Sequence, residues 1–148
     1  MSEKVVSFVL GKEEFGVDIS KVREIIVYRG ATKMPNVSEY VEGIVNIRGK
    51  IIPVVDMKCK LSIVGETAAE RYAMIVEIGN QQVAILVDQV KEVQEISDEN
   101  IEAPPTISEV ECQMIRGIGK IGERLCILLD IDAVFAKDEV IKLGRIVN

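Results

Sequence analysis

An internal repeat limits the fold of this chain more than any other feature of its sequence. Residues 11–25 (GKEEFGVDISKVREI) align with residues 79–93 (GNQQVAILVDQVKEV), and residues 43–56 (GIVNIRGKIIPVVD) align with residues 117–130 (GIGKIGERLCILLD). Chance similarity between strands rich in Val and Ile is the alternative, but the two blocks keep the same order in both halves. An insertion of about six residues near positions 104–105 accounts for the different offsets of the blocks. We therefore expect each half of the chain to form the same unit.

Each unit is predicted to be a small β-sheet. The chain has 148 residues, with 21 Val and 21 Ile against 7 Leu, and β-branched side chains favour strands. Turn residues such as Gly11 and Gly79 separate about five short apolar segments in each half. Five-stranded antiparallel sheets protect their edges by curling into barrels, and a half of about 70 residues needs a shared core. The predicted fold is mainly β: two pseudo-repeated five-stranded β-barrels, approximately residues 1–66 and 67–148, packed on a shared core within one domain.

A short helix is predicted at the C-terminus. Apolar residues recur at helical spacing there: Ile131, Val134, Phe135, Val140 and Ile141. Asp130 and Asp132 are explained better by a helix N-terminus than by a divalent cation site, since no further ligands follow at calcium-loop spacing.

The composition excludes several classes of function. The chain has no His, which removes the usual nucleophile–base pairs and histidine metal sites. The net charge is −6 and the cations are scattered singly, so nucleic acid is excluded as a partner. Three cysteines, Cys59, Cys112 and Cys126, have long spacings typical of inert thiols in a reducing compartment. No metal or other cofactor is expected.

We predict neither a signal peptide nor a membrane-spanning segment from the sequence. Residues 1–10 resemble a first strand, and no apolar run approaches the roughly 20 residues that a transmembrane helix needs. We therefore expect a cytoplasmic protein without membrane insertion.

Two further motifs are interpreted as structural. Residues 117–122 (GIGKIG) match the glycine pattern of dinucleotide-binding loops, but the next segment has the pattern of a strand rather than a helix. They are therefore interpreted as a turn. Glu13 and Glu14 fall at the first hairpin tip, where we expect both carboxylates to be solvated.

The segment Asn46–Gly49 is the strongest candidate for a functional site. Its repeat counterpart keeps the apolar positions but differs at the polar ones, and positions free to differ between the copies can serve function. An Arg at a tight turn presents five donors to carboxylates or carbonyls of a partner. The alternative is that Arg48 pairs with an acid of the same chain. The turn that carries Val22 and Glu24 has two similar interpretations. One assigns it to the functional site by analogy with Arg48, but Val22 and Ile25 are explained more simply as core residues.

These residues carry a resemblance to a known family. The chain is similar to the bacterial chemotaxis coupling proteins of the CheW family in residues 15–25, 41–57, 83–93 and 117–132. The segment from Asn46 to Asp56 (NIRGKIIPVVD) is the most specific of these. The resemblance spans nearly the whole chain, from Val6 to the final helix. It implies two packed five-stranded barrels without enzymatic activity.

The resemblance also implies an adaptor that joins the cytoplasmic tips of chemoreceptors to the regulatory domain of the histidine kinase CheA. The receptor would dock in the groove between the barrels, near Val22, Glu24, Asn46, Ile47, Arg48, Gly49, Val87, Val90 and Val93. The kinase would contact the first barrel near Val41, Gly43 and Val45. We expect the free protein to be a monomer.

Two other functions remain open from the residues alone. A small β-barrel enzyme or ligand-binding module would use the groove for a small molecule. A structural protein that assembles with itself would form oligomers as its concentration rises.

Overall fold

The computed structural model describes residues 1–66, 68–104 and 113–147. Within these ranges the chain forms eleven strands, three α-helices and two short 3₁₀ helices, Ile19–Lys21 and Asp98–Asn100. The strands are β1 (Ser2–Leu10), β2 (Glu13–Asp18), β3 (Val22–Val27), β4 (Val41–Ile47), β5 (Lys50–Asp56), β6 (Tyr72–Ile78), β7 (Gln81–Val87), β8 (Gln89–Ser97), β9 (Ile101–Glu102), β10 (Ile115–Ile121) and β11 (Arg124–Leu129). The helices are α1 (Met57–Lys60), α2 (Ile131–Val134) and α3 (Lys137–Val147). The insertion predicted near residues 104–105 lies largely outside the described residues, and Cys112 lies outside them as well.

The strands form two sheets, so the predicted mainly β fold is confirmed. The first sheet has the order β8-β1-β2-β11-β10-β9, and the second sheet has the order β3-β6-β7-β5-β4. Neighbours pair antiparallel except at β2–β11 and β5–β7, which are parallel. Parallel partners need a long connection, and here each parallel pair joins a strand of one half of the chain to a strand of the other.

The two sheets therefore do not follow the two halves of the chain. Strands β1 and β2 lie in the sheet with most strands of residues 67–148, and β6 and β7 lie in the sheet with β3, β4 and β5. The prediction that each half supplies the strands of one barrel needs this correction. The physical reason is burial: exchanging strands lets two units of about 70 residues bury apolar faces that neither could cover alone. The boundary between residues 66 and 67 stays a prediction about the repeat units.

A shared apolar core joins the two sheets, as predicted. One cluster contains Phe8 and Val17 of the first sheet and Met74 and Ile85 of the second, all fully buried. Each sheet also has its own smaller apolar cluster. The second sheet encloses one around Val54, Ala84 and Leu86, and the first encloses one around Val5, Cys126 and Leu128. This arrangement is consistent with two curled, barrel-like sheets.

The C-terminal segment forms two helices rather than one. The side chain of Asp130 accepts a hydrogen bond from the Asp132 amide at 3.1 Å and so caps α2, as the helix interpretation predicts. Phe135 then adopts an extended conformation, with φ −110° and ψ 134°, and separates α2 from α3. Helix α3 packs on the shared core through Leu143, which is 1% exposed. None of the described helices is long and apolar enough to cross a membrane.

The glycine-rich segment 117–122 is a strand and a turn. Residues up to Ile121 belong to β10, Gly122 has φ 63°, and strand β11 follows. A Cβ on Gly117 or on Gly119 would lie 2.9 Å from the side chain of Ile101 or Ile96, respectively. These two glycines therefore allow close packing, and no dinucleotide-binding loop is formed.

Candidate functional site

The turn between β4 and β5 projects the segment predicted to be functional. Ile47 pairs with Lys50, so Arg48 and Gly49 form a two-residue hairpin turn. Both have positive φ angles, 54° for Arg48 and 83° for Gly49, which is typical of a type I′ turn. The Asn46 side-chain oxygen accepts a hydrogen bond from the Gly49 amide at 2.9 Å and closes the turn. The sequence Asn-x-Arg-Gly thus holds the arginine at the tip of the hairpin.

Arg48 forms an ion pair with Glu24 on strand β3. Its Nη1 lies 2.9 Å from Glu24 Oε1, and the arginine side chain is 79% exposed while that of Glu24 is 25% exposed. The structure therefore shows the intramolecular pairing that the sequence analysis left open. An exposed pair of this kind contributes only about 0–1 kcal/mol to stability. Its main effect is to orient the guanidinium, whose remaining donors are left for a partner.

The predicted valines occupy three different environments. Val22 and Val90 are half-buried and pack against the apolar cluster shared by the two sheets. Val87 is 1% exposed and belongs to that cluster. Val93 lies on β8 opposite Val6 and is 54% exposed. The structure thus brings three of these valines to the junction of the sheets and leaves the fourth on the surface.

Strand β3 connects the polar and the apolar groups, and its Ile26 packs against the same apolar cluster as Ile47 of the hairpin. Val22 and Glu24 both lie on β3, which shifts its register against β6 between these two residues. Asn46, Ile47, Arg48 and Gly49 reach this strand through the Arg48–Glu24 ion pair.

The three residues predicted to bind the kinase lie on β4. Val41 is 9% exposed and packs in the shared core, whereas Val45 is half-buried against the inner cluster of the second sheet. Gly43 has φ 153°, and a Cβ there would lie 2.2 Å from the carbonyl oxygen of Thr32. Thr32 forms a β-bridge with Ile44, so Gly43 is needed for the close approach of this neighbouring segment.

Three apolar residues that the sequence analysis did not place at the surface are partly exposed. Ile25, Val27 and Ile51 are each 39% exposed. Ile25 was expected in the core, but exposure along β3 alternates and puts it on the same side as the exposed Arg23. The sequence of β3 does not reveal which side faces the core, because both sides carry apolar residues.

The cysteines that the structure describes fit the prediction of inert thiols. Burial raises the pKa of the Cys126 thiol to about 12. Burial and the nearby Asp56 carboxylate also raise the pKa of Cys59, although this residue is exposed. Thiolate is the nucleophilic form, so neither sulfur is activated.

The hairpin presents a group that is suited to recognition. An oriented arginine on a rigid turn can donate charged hydrogen bonds to carboxylates or carbonyls. Across the described residues, no group of three or more His, Cys, Asp or Glu side chains could hold a metal ion.

Comparison with known proteins agrees with the fold. A family model described as a CheW-like domain matches residues 4–139. The chemotaxis protein CheW of Rhizobium meliloti is 35% identical, over 92% of this chain and 89% of that protein. The corresponding protein of Klebsiella aerogenes is 33% identical, over 95% of this chain and 86% of that one.

A solved structure is also similar. The crystal structure of the scaffolding protein TtCheW from Thermoanaerobacter tengcongensis superposes with a TM-score of 0.85 at 35% identity. The match covers 94% of this chain and 96% of that one. These similarities favour an adaptor over a module that binds a small ligand. The chain belongs to the CheW family of chemotaxis adaptor proteins.

Proposed function

We propose that this chain is a non-enzymatic, cytoplasmic adaptor that couples the tips of chemoreceptors to the histidine kinase CheA. Family membership supports the chemotaxis role, and the two partners are those that the resemblance implies. The proposal includes no cofactor, no nucleic-acid partner and no membrane insertion. It also treats the free protein as a monomer.

The observation that carries the proposal is the conformation of Arg48. A side chain other than Gly at a positive φ angle is strained, yet this arginine is 79% exposed and its one ion pair contributes little to stability. The type I′ turn requires a positive φ at this position, but Gly, Asn or Asp would adopt it with less strain, and a strained residue that the turn itself does not favour is typical of a functional position. The ion pair with Glu24 fixes the direction of the guanidinium and leaves its other donors for a partner.

Chemoreceptor binding is assigned to the junction of the two sheets. A receptor tip is a helical hairpin, and an amphipathic helix binds by laying its apolar side into an apolar groove. In this proposal Val22, Val90 and Val93 supply apolar contacts, and Val87 supports them from within the core. The hairpin residues Asn46, Ile47, Arg48 and Gly49, together with Glu24, supply the polar edge.

Kinase binding is assigned to strand β4. Val45 is the half-buried member of the set, and we assign it to direct contact. Val41 and Gly43 are buried, so we assign them to the support of this surface. The regulatory domain of CheA is the proposed partner here.

The test measures both partners separately on the variant Arg48→Glu. Calorimetric titration with a soluble receptor tip fragment is expected to show affinity lowered by about tenfold or more, because the variant reverses a charge at the contact. Titration with the regulatory domain of CheA is expected to be unchanged. The melting temperature should stay close to that of the original protein, since the arginine is not part of the core.

Lys12→Glu is the matched control. Lys12 is exposed in the turn after β1, and its change alters the net charge by the same amount. This control should bind the receptor fragment normally. Unchanged receptor binding by Arg48→Glu would remove Arg48 from the site, and failure of the folded original protein to bind either partner would contradict the adaptor function itself.

A further inference from the structure

A cleft lies between helix α3 and the loop that precedes β4, away from the hairpin. Its volume is about 630 Å³, within the range of about 300–1,000 Å³ that is typical of ligand sites. Apolar side chains form its floor: Met34, Val37, Val41, Leu143 and Ile146. Of the residues assigned to receptor or kinase, Val41 alone lines this cleft.

Both walls of the cleft are held in place by the fold. On the loop side, Pro35 is followed by Asn36 with φ 57°, a combination typical of a type II turn. On the helix side, Leu143 is anchored in the shared core with 1% exposure. The cleft is therefore preformed, which lowers the entropic cost of binding.

A partly buried contact joins the two walls at Glu139. Its carboxylate accepts hydrogen bonds from the Tyr40 hydroxyl at 2.9 Å, from Lys60 Nζ at 2.9 Å and from the Ala136 amide at 2.8 Å. The single carboxylate that lines the cleft is thus neutralised by Lys60 and fully engaged. It leaves little negative charge to repel an anion.

The rim of the cleft is positively charged. Lys142 and Arg145 line it, both are exposed, and neither forms an ion pair with any residue in the described ranges. Asp138 and Glu39 are near in sequence to the two walls, but neither lines the cleft. Although the chain has a net charge of −6, this cleft therefore combines a positively charged rim with an apolar floor.

The spacing of the two cations matches an extended acidic peptide. Residues three apart on a helix lie about 5–6 Å from each other on one face. Alternate side chains of an extended peptide point the same way and repeat every 6–7 Å or so, at about 3.3 Å per residue. Acids at alternate positions can therefore meet Lys142 and Arg145, while the apolar residue between them points to the other side.

We propose that this cleft binds a short extended segment of a partner protein with the pattern acid–apolar–acid. The two carboxylates pair with Lys142 and Arg145, and the apolar side chain enters the floor between Val37 and Leu143. This site goes beyond the adaptor contacts proposed above and does not rest on them. It would give the protein a third surface for assembly.

The test is a titration of the full chain, labelled with ¹⁵N, with the peptide acetyl-SELES-amide. We expect saturable chemical-shift changes confined to α3 and the loop at residues 34–41. The peptides SKLKS and SESES, capped in the same way, should bind at least about tenfold more weakly, because one reverses the charge and the other removes the apolar residue.

Two protein variants locate the site. Lys142→Glu combined with Arg145→Glu should lower the affinity for SELES by about tenfold or more without changing the melting temperature. Lys4→Glu combined with Lys12→Glu makes the same change of net charge at exposed positions outside the cleft and should bind normally. Val37→Ser tests the floor and should also weaken binding.

The proposal is overturned if SELES causes no shifts, or if the variant at Lys142 and Arg145 binds it as well as the original protein. Binding to phosphatidylglycerol vesicles without binding to the peptide would assign the cations to a membrane surface and also overturn it. Receptor and CheA titrations of the same variant keep this result separate from the adaptor function, since neither altered residue belongs to those sites.

Discussion

Lys58 and Asp88 form an ion pair at the point where the chain crosses between the two sheets. The Lys58 Nζ lies 3.1 Å from Asp88 Oδ1, and the two side chains are 9% and 10% exposed. Lys58 belongs to α1, directly after β5, and Asp88 stands between β7 of the second sheet and β8 of the first. Lys58 Nζ donates a hydrogen bond to the carbonyl of Glu66 at 2.7 Å. Asp88 Oδ1 accepts no hydrogen bond from the described residues, so its contact with Lys58 is mainly electrostatic.

Asp88 also holds the first hairpin. Its Oδ2 accepts a hydrogen bond from the Gly11 amide at 2.7 Å, and its own amide donates to the carbonyl of Val9 at 3.0 Å. The pair thus joins the second sheet, the segment before residue 67 and the β1–β2 turn of the first sheet. It contributes to the relative position of the two sheets, on which a site at their junction depends.

Lys58→Met should destabilise the protein by about 3–5 kcal/mol, because it leaves the Asp88 carboxylate buried without its cation. Urea denaturation followed by circular dichroism measures the free energy of unfolding. Lys91→Met is the control: Lys91 is 33% exposed, and Glu14 keeps a second cation, Arg124, at 3.6 Å, so this change should cost less than about 1 kcal/mol.

A double variant separates the pair from its surroundings. Lys58→Met combined with Asp88→Leu removes both charges, so it should lose less stability than the two single changes added together. A loss below about 1 kcal/mol for Lys58→Met alone would show that water reaches the carboxylate and that the pair does not hold the sheets.

Gly43→Ala should destabilise the protein by about 2 kcal/mol or more, through backbone strain and a steric clash. The added Cβ would lie 2.2 Å from the Thr32 carbonyl oxygen, and the φ angle of 153° disfavours a side chain. Gly79→Ala is the matched control, because Gly79 also has a positive φ, 62°, but nothing lies within 4 Å of its added Cβ. It should cost about 1 kcal/mol. Equal losses of unfolding free energy in the two variants would contradict the clash at Thr32.

The repeat and the turn residues predicted the strands well, but they did not predict how the strands combine. Gly11, Gly79 and Gly122 all have the positive φ angles expected of their turns. The parallel pairs β2–β11 and β5–β7 were not predictable, because a period of two shows that a strand has two faces and not which strand lies beside it.

The same limit applies to single side chains. Glu14 was expected to be solvated, yet its side chain is 9% exposed and lies 3.5 Å from Lys91 and 3.6 Å from Arg124. Lys91 lies on β8 and Arg124 on β11, and both strands are distant in sequence from Glu14 on β2. They come close to Glu14 because β1 and β2 share a sheet with strands of the second half of the chain. At the candidate site, the local turn of Asn46 to Gly49 was predictable from its residues. The partner of Arg48, Glu24, could not be selected from the many acids of the chain.

The variants Arg48→Gly and Arg48→Val should distinguish the role of Arg48 in the turn conformation from its role in receptor binding. Gly accepts the φ angle of 54° without strain, so its variant should stay within about 1 kcal/mol of the original stability. The branched Val side chain is strained at this φ angle, so Arg48→Val should lower the free energy of unfolding by about 1–2 kcal/mol. Both variants lack the guanidinium and should therefore bind a receptor tip fragment more weakly by a similar factor. If Arg48→Gly binds the receptor fragment normally and only the less stable Arg48→Val binds it weakly, Arg48 serves only the turn.

The contacts of Glu139 should make stability depend on acidic pH. Burial alone would raise the pKa of this carboxyl group, but hydrogen bonds from the Ala136 amide, Lys60 and Tyr40 lower it below its ordinary value of 4.5. The unfolded chain then binds a proton more readily than the folded protein. The stabilisation is therefore complete above about pH 4.5 and is lost as the pH falls through the folded pKa.

Unfolding free energies of the original protein and Glu139→Gln, measured by urea denaturation between pH 7 and pH 3, test this expectation. The variant should be less stable at pH 7, and the difference should shrink below about pH 4.5 because the original carboxylate becomes neutral as well. Asp138→Asn is the control: this neighbour is exposed, and its variant should retain the pH dependence that Glu139 produces. A difference between the original protein and Glu139→Gln that stays constant down to pH 3 would show that the carboxylate contributes no charge-dependent stability.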